Sequence, residues 1–149
     1  MRRIVTGVNA AGRSYLVSND PIDGSGFARI WEVDPKQVGG WIARIDPAQA
    51  AASIEPPPGA SRWVIASIPP DSGSRTPAQQ IPGIDEQGFH TTRTVDYDIV
   101  LDGRLTLVLD EDSVELETGD LVVQQATRHA WRNPGTRPAR LLAVLTTLP

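Results

Sequence analysis

The sequence predicts an all-β domain, either an antiparallel sandwich or a barrel. In the C-terminal half, short apolar β-branched runs follow one another, and turn residues separate them at intervals of about 8 to 14 residues. No run keeps the apolar period of a helix over about ten residues. A chain of 149 residues with 40% hydrophobic residues can bury one core, so residues 1–149 are expected to form a single domain.

Turn residues separate the strands expected in the C-terminal half. Asp-Gly at 102–103, Thr-Gly-Asp at 118–120 and Asn-Pro-Gly at 133–135 are of the kind that interrupts strands. The predicted strands are Val95 to Leu101, Leu105 to Leu109, Val114 to Leu116, Leu121 to Val123 and Arg140 to Leu148.

The N-terminal half, residues 1–83, is a less regular β-rich extension of a core at residues 84–149. Asp46 followed by Pro47 predicts one short helix, because Asp suits the N-cap and Pro the first turn. The segment Pro69 to Gly83 is too rich in Pro, Gly and Ser for a strand, so it is either a lid over a pocket or a plain surface connection. The predicted strands are Ile4 to Val8, Ser14 to Ser18, Phe27 to Val33 and Trp63 to Ile68.

The composition argues against several function classes. The formal net charge is −4 and the basic residues do not cluster, so there is no basic face for nucleic acid. The chain has no cysteine, so a metal would rest on imidazole, carboxylate and water ligands. No run reaches the ~18 apolar residues of a membrane span, and the N-terminus lacks the apolar stretch of a signal peptide. We therefore expect a cytoplasmic protein with no membrane partner.

The first of the two histidines begins a strand-like segment in which polar and apolar residues alternate. Because a strand sends residues at even offsets to one face, the polar face is expected to look into water or into a lined cavity. Tyr97 lies on the opposite, apolar face, where it is expected at a sheet or subunit contact. The polar face consists of His90, Thr92, Thr94, Asp96 and Asp98.

The second histidine, His129, follows the apolar strand that ends at Val123. Trp131 has the same strand parity, so it is expected either to form an aromatic wall of a pocket or to pack in the core. Gln124 and Gln125 stand at the end of the apolar strand. At least one of them should form hydrogen bonds inside the protein or with a ligand, because a buried amide without partners costs ~1–3 kcal/mol.

These residues and spacings resemble the two motifs of the cupin superfamily, whose members are small β-barrels of jelly-roll type. From its first His onward, the first motif reads His-x-His-x3-4-Glu-x6-Gly, and the second reads roughly Gly-x5-Pro-x-Gly-x2-His-x3-Asn. The second motif is one residue shorter here between its Gly and its His. The resemblance implies an antiparallel β-barrel of jelly-roll type. The corresponding residues are His90, Thr92, Asp96 and Gly103, then Gly119, Gln125, Ala126, His129 and Asn133.

The resemblance also implies a ligand site. Cupins usually hold one divalent metal with three His and one Glu, so His90, Asp96 and His129 are the expected ligands here for Zn, Fe or Mn. Thr92 occupies a ligand position without an imidazole, and Asp is one methylene shorter than Glu. A metal-free pocket is therefore the alternative.

Among the activities that the resemblance allows, we expect an enzyme acting on an oxygenated carbonyl or phenolic compound inside the barrel. A lyase-type reaction, dehydration or decarboxylation, is favoured because an imidazole can carry a proton at neutral pH. An Fe(II)-dependent dioxygenase and a non-catalytic ligand-binding cupin are the alternatives. A homodimer is expected, since cupins commonly pair and the N-terminal extension could cover strand edges. The expected catalytic residues are His129, His90 and Asp96, and the expected substrate-binding residues are Thr92, Gln124 and Trp131.

Overall fold

The computed structural model describes residues 2–8, 10–21, 26–33, 54–73 and 83–147. This part of the chain contains ten β-strands and no helix. Numbered in chain order, the strands are β1 (Arg2–Val8), β2 (Ser14–Pro21), β3 (Phe27–Val33), β4 (Ser61–Ile68), β5 (Thr94–Asp102), β6 (Arg104–Val108), β7 (Ser113–Glu117), β8 (Leu121–Gln125), β9 (Ala130–Arg132) and β10 (Ala139–Thr147).

Within these residues the strands form three antiparallel sheets. β1 and β2 pair as a hairpin, a five-stranded sheet has the order β3-β4-β10-β5-β8, and a three-stranded sheet has the order β7-β6-β9. The predicted all-β fold of jelly-roll type is confirmed. The sheets do not close into a barrel in the part of the chain that the structure describes.

The five-stranded and three-stranded sheets pack face to face. In β10 every second residue from Ala139 to Thr147 is buried, which is the period of a strand with one core face. Val100 of β5 and Leu141 of β10 are register partners, so the main core lies toward the C-terminal end of β5. Its buried members are Val100, Leu105, Leu107, Leu116, Ala139 and Leu141.

The tight connection between β5 and β6 requires a glycine. Gly103 has a φ of 90°, in the left-handed region that other residues rarely adopt. A Cβ atom there would lie 2.8 Å from the Cβ of Ala139. The chain can therefore turn from β5 into β6 at this point only because residue 103 has no side chain.

All nine strands predicted from the sequence are present, with bounds that shift by a few residues. The last strand, for example, is Ala139–Thr147 rather than Arg140 to Leu148. The additional strand, β9, was not predicted. With three residues, β9 is too short to show an alternating pattern of its own.

Two predictions fall wholly or mostly outside the described residues. The helix at Asp46 and Pro47 lies outside them, and so do residues 74–82 of the segment from Pro69 to Gly83. The division of the domain at residue 83 stays a prediction. Within the described residues there is no helix of the length and apolarity that a membrane crossing requires.

Candidate active site

The backbones of the two histidines are hydrogen-bonded to each other. His90 and His129 form an isolated antiparallel bridge in which each backbone N–H donates to the other residue's carbonyl at 3.0 Å. The ring centroids lie 4.2 Å apart, with the ring planes tilted by 57°. The structure thus brings together two imidazoles that are far apart in sequence.

The hydrogen bonds of His129 define its tautomer. Nδ1 lies 3.0 Å from the carbonyl oxygen of Thr127, which can only accept, so Nδ1 carries the proton. Nε2 is then an acceptor, and the amide Nε2 of Gln124 lies 3.3 Å away to donate to it. Burial is the main cause that lowers the pKa of His129 to about 4, so the ring is neutral at physiological pH.

Gln124 links His129 to a buried carboxyl group. The same amide nitrogen, which has two hydrogens, also donates to Oδ2 of Asp98 at 3.2 Å. Burial, followed by the nearby Asp96 carboxylate, raises the pKa of Asp98 to about 7. Asp98, Gln124 and His129 therefore form one hydrogen-bonded group, called here the Asp98–Gln124–His129 triad.

Asp96 belongs to a second set of polar side chains on β5. The hydroxyl of Thr94 donates to the Asp96 carboxylate, and the hydroxyl of Thr92 lies 2.7 Å from that of Thr94. Thr92 is therefore oriented toward Thr94 inside the protein. Burial is the main cause that raises the pKa of Asp96, and the negative charge of Glu55 also raises it.

His90 is less buried than His129, and it directly follows a short loop. Its Nδ1 lies 3.4 Å from the carbonyl oxygen of Gly88. Burial is the main cause that lowers the pKa of His90, so this ring also favours the neutral form. The site thus contains two neutral imidazoles in ring contact.

The loop before His90 is held by interactions at the protein surface. The carboxylate of Asp85 accepts hydrogen bonds from the backbone N–H groups of Gln87 and Phe89. Arg128 forms an ion pair with Asp85 at 3.2 Å, and its guanidinium lies 4.1 Å from the centroid of the Phe89 ring. These contacts fix the segment before His90 against the segment before His129.

Trp131 packs in the core, which is one of the two roles that the sequence left open. Its ring centroid lies 6.1 Å from that of His129, nearly perpendicular to it, and its side chain packs against the main core cluster. The indole therefore limits the rotation of the His129 ring on one side and closes the core on the other.

The residues of the site do not fit a metal centre. Among the described residues there is no group of three or more His, Asp or Glu side chains placed to hold an ion. Both ring nitrogens of His129 already have partners within the protein, at Thr127 and Gln124. The expected ligands His90, Asp96 and His129 are thus not assembled as a ligand set, and a bound metal stays a prediction.

Asp98 had no predicted role in the site. The sequence placed Asp98 on the polar face of the strand, and in the structure this residue is 4% exposed. Asp96 falls in a motif position and Asp98 does not, so the motif resemblance assigned no role to Asp98. The signal that identifies Asp98 is the alternation itself, because a second inward carboxylate two residues on must lie on the same face of the sheet.

Similarity to known proteins covers the part of the chain that contains the site. Residues 80–145 match the family described as Cupin domain. Among solved structures, an RmlC-like cupin family protein with a double-stranded β-helix fold from Methanocaldococcus jannaschii is 16% identical, over 58% of this chain and 70% of that chain, with a TM-score of 0.44.

Curated relatives match over shorter segments. "Phomopsin biosynthesis cluster protein C'" of Diaporthe leptostromiformis is 49% identical over 32% of this chain and 26% of its own length. "Cupin-domain-containing oxidoreductase srdD" of Neurospora crassa is 40% identical over 43% of this chain and 34% of its own length. The chain therefore spans only about a quarter to a third of the curated relatives that it matches.

Proposed function

We propose that this chain, whose residues 80–145 match the Cupin domain family, is a small-molecule enzyme that transfers protons in a lyase-type reaction. The substrate class is an oxygenated carbonyl or phenolic compound, and the reaction is a dehydration or a decarboxylation. The observation that carries the proposal is the buried Asp98–Gln124–His129 triad beside His90. It places a carboxyl group whose pKa is raised to about 7 close to a ring whose pKa is lowered to about 4.

In a dehydration, a base takes a proton from the carbon next to the carbonyl while an acid protonates the departing hydroxyl group. One C–H and one C–O bond break, one C=C bond forms, and water leaves. Asp98 can serve as either partner at neutral pH because its pKa is raised to about 7. The neutral rings of His90 and His129 can accept a hydrogen bond or a proton, and Gln124 orients both His129 and Asp98.

Exchange of substrate hydrogen with solvent tests the proposal even when the product is unidentified. β-Hydroxy carbonyl compounds incubated with the protein in D₂O should gain deuterium next to the carbonyl, as followed by proton NMR. His129→Ala should slow this exchange by about 10²-fold or more, the usual loss for an acid or base group. Thr92→Val keeps the shape and should slow it less. Full exchange in folded His129→Ala would contradict the assignment.

An oxidoreductase is the second candidate, and the relative named as a cupin-domain-containing oxidoreductase favours it. An Fe(II)-dependent dioxygenase would need His90, Asp96 and His129 to rearrange into a ligand set with open positions for substrate and oxygen. Metal analysis of protein purified without chelator, with oxygen consumption on phenolic compounds, separates the two reactions. A non-catalytic binding domain would show neither hydrogen exchange nor oxygen consumption.

The proposal includes a homodimer in the cytoplasm. Exposed apolar side chains on the outer face of the five-stranded sheet support the pairing, because apolar patches of this kind mark protein contacts. Tyr97, which was expected at a sheet or subunit contact, is 55% exposed there. The cytoplasmic location rests on the sequence alone.

A further inference from the structure

Both histidines of the candidate site lie outside the strands of the sheets. His90 precedes β5, which begins at Thr94, and His129 lies between β8, which ends at Gln125, and β9. The backbone link between the two histidines is a single isolated bridge and not part of a longer ladder. A bridge of two hydrogen bonds opens more easily than a ladder does, so other contacts must hold its two residues in register.

One such contact lies on the side of the bridge that faces away from the rings. Arg128 and Phe89 each stand one residue before a histidine, and an extended chain sends neighbouring residues to opposite sides. Arg128 is accordingly exposed, whereas His129 is buried. The guanidinium carbon of Arg128 lies 4.1 Å from the centroid of the Phe89 ring, where a cation is attracted to the aromatic face. The bridge therefore has a ring contact on its inner side and a cation–π contact on its outer side.

Arg128 also holds the loop that leads to His90. Its Nη2 donates to Oδ2 of Asp85 at 3.2 Å. The other carboxylate oxygen, Oδ1, accepts hydrogen bonds from the backbone N–H groups of Gln87 and Phe89. The loop is thus folded around the same carboxylate that Arg128 binds. A displacement of Arg128 would be passed through this carboxylate to the residue before His90.

A third contact ties Arg128 to the three-stranded sheet. Its Nη1 donates at 2.8 Å to Oδ1 of Asp110, in the turn between β6 and β7. β6 also pairs with β9, which begins directly after His129. The planar fork of an arginine can bind two carboxylates at fixed angles, which the single ammonium group of a lysine cannot do. Arg128 therefore links the loop before His90 to the strands that support His129.

Resting on the proposed function, we infer that Arg128 is a positioning residue for the proton transfer. Its contacts with Asp85 and Phe89 hold the ring of His90 against the ring of His129. Arg128 itself lies on the outer side of the bridge and acts only through the loop. Exposed ion pairs add little to global stability, so the loss of Arg128 should loosen the histidine pair without unfolding the domain. A small displacement of an acid or base group is enough to slow a proton transfer.

NMR of the imidazole rings tests the inference directly, because the chain contains only two histidines. In protein with isotope-labelled histidine, the wild type should show a nuclear Overhauser effect between the two rings, whose centroids are 4.2 Å apart. Arg128→Met keeps a long side chain, removes the charge and should abolish this signal. Its melting temperature should fall by no more than about 6 °C, as expected for the loss of surface contacts.

Further variants separate this role from a general effect of surface charge. Arg128→Lys keeps the charge without the fork and should retain a weakened signal between the rings. Asp85→Asn tests the same contact from its other side: it keeps an acceptor for the loop, removes the negative charge and should also weaken the signal. Arg104→Met is the matched control. Arg104 is an exposed arginine in an ion pair with Glu117 at 3.1 Å, and its loss should leave the signal unchanged.

Hydrogen exchange of the substrate adds a functional measurement. Arg128→Met should exchange about tenfold more slowly than the wild type, a smaller loss than that of His129→Ala. Exchange at the wild-type rate would contradict a positioning role. Faster exchange would contradict it as well, because the Arg128 contacts would then restrict access to the site.

The outcome is distinguishable from that of the proposed function. An unchanged ring signal in folded Arg128→Met, or an equal loss of signal in Arg104→Met, overturns the inference even if the wild type is a lyase. A ring signal that depends on Arg128 and Asp85 supports the positioning of the two rings even if no carbonyl compound exchanges its hydrogen, which would overturn the lyase instead.

Discussion

The two faces of the five-stranded sheet reverse the usual arrangement, in which charged side chains face the solvent and apolar side chains face the core. On the inner face of β5, Asp96 and Asp98 are 5% and 4% exposed. On the outer face of β8, Leu121 and Val123 are 75% and 59% exposed. Near one end of this sheet, carboxylates are therefore inside and aliphatic residues are outside.

Such an inversion costs stability and does not help to specify the fold. Burying a carboxylate is unfavourable unless a partner compensates, and exposed apolar area gains nothing in an isolated molecule. Sequences break these rules mainly where function requires it. The inner face is thus interpreted as a site for chemistry and the outer face as a contact surface.

The outer apolar residues form a continuous row across the sheet. Val144 of β10 has Trp63 on one side and Tyr97 on the other as register partners, and Tyr97 is paired in turn with Val123. The row therefore crosses four adjacent strands. A row of this extent is typical of a subunit contact and differs from a scatter of single exposed residues.

The largest effect on the free energy of unfolding is expected when one partner of a buried ion pair on the inner face is removed. Arg62 is 3% exposed and donates through its guanidinium to Glu32 and to the carbonyl of Ile54 at 2.8 Å. Arg62→Leu leaves the Glu32 carboxylate buried with weaker compensation. We expect a loss of about 3–5 kcal/mol in the free energy of unfolding, measured with urea.

The matched control is an ion pair on the surface. Arg104 lies 3.1 Å from Glu117, and both side chains are at least 70% exposed. Arg104→Leu should change the free energy of unfolding by less than about 1 kcal/mol. Equal losses in the two variants would remove the distinction between buried and exposed charge on which the comparison rests.

A smaller and pH-dependent effect on stability is expected at Asp98, whose carboxyl group pairs with no cation among the described residues. The folded state raises the pKa of Asp98 from 3.8 to about 7, so the folded protein holds this proton more tightly than the unfolded chain does. Its stabilising contribution is complete below about pH 4 and is lost as the pH rises through about 7. Asp98→Asn does not titrate, so its stability relative to the wild type should increase across that window.

The expected change is on the order of a few kcal/mol, since each pKa unit corresponds to about 1.4 kcal/mol. Urea unfolding of both proteins at pH 5 and pH 8 measures this change in relative stability. The titration of His90 and His129 affects both proteins, so it largely cancels in the difference between them. A difference between the two proteins that does not depend on pH would show that Asp98 is not buried as described.

The smallest effect on folding is expected on the outer face. Leu121→Lys combined with Val123→Lys should leave the free energy of unfolding of one chain within about 0.5 kcal/mol. The same change should convert a dimer of twice 16.1 kDa to a monomer, as measured by light scattering. Val114→Lys, at an exposed position on the three-stranded sheet, should leave the dimer intact. A monomeric wild type would contradict the contact.

Much of the fold was predictable because strands show a local pattern. The alternation from Thr94 to Val100 correctly separates the inner face from the outer face, including Tyr97 on the outside. The turn at Gly103 was predictable from the Asp-Gly dipeptide. The short strand β9 was not, since its identity depends on pairing with β6 and not on its own three residues.

The site was predictable only in part. The motif spacing named His90 and His129, and the structure places their rings in contact. The partners of these rings depend on side-chain geometry that no spacing encodes. Gln124 could be identified as a buried amide, but its link from His129 to Asp98 follows from the register of β5 and β8.

The measurement that tests the central claim most directly is the titration of the Asp98 carboxyl group by carbon NMR, with Asp98→Asn to assign the signal. The claim is that the inner face keeps an ionisable group buried, with no cation paired to it in the described part of the chain, so that it can exchange a proton near neutrality. We expect a titration midpoint close to 7. A midpoint near 4, the ordinary value for aspartate, would contradict the claim.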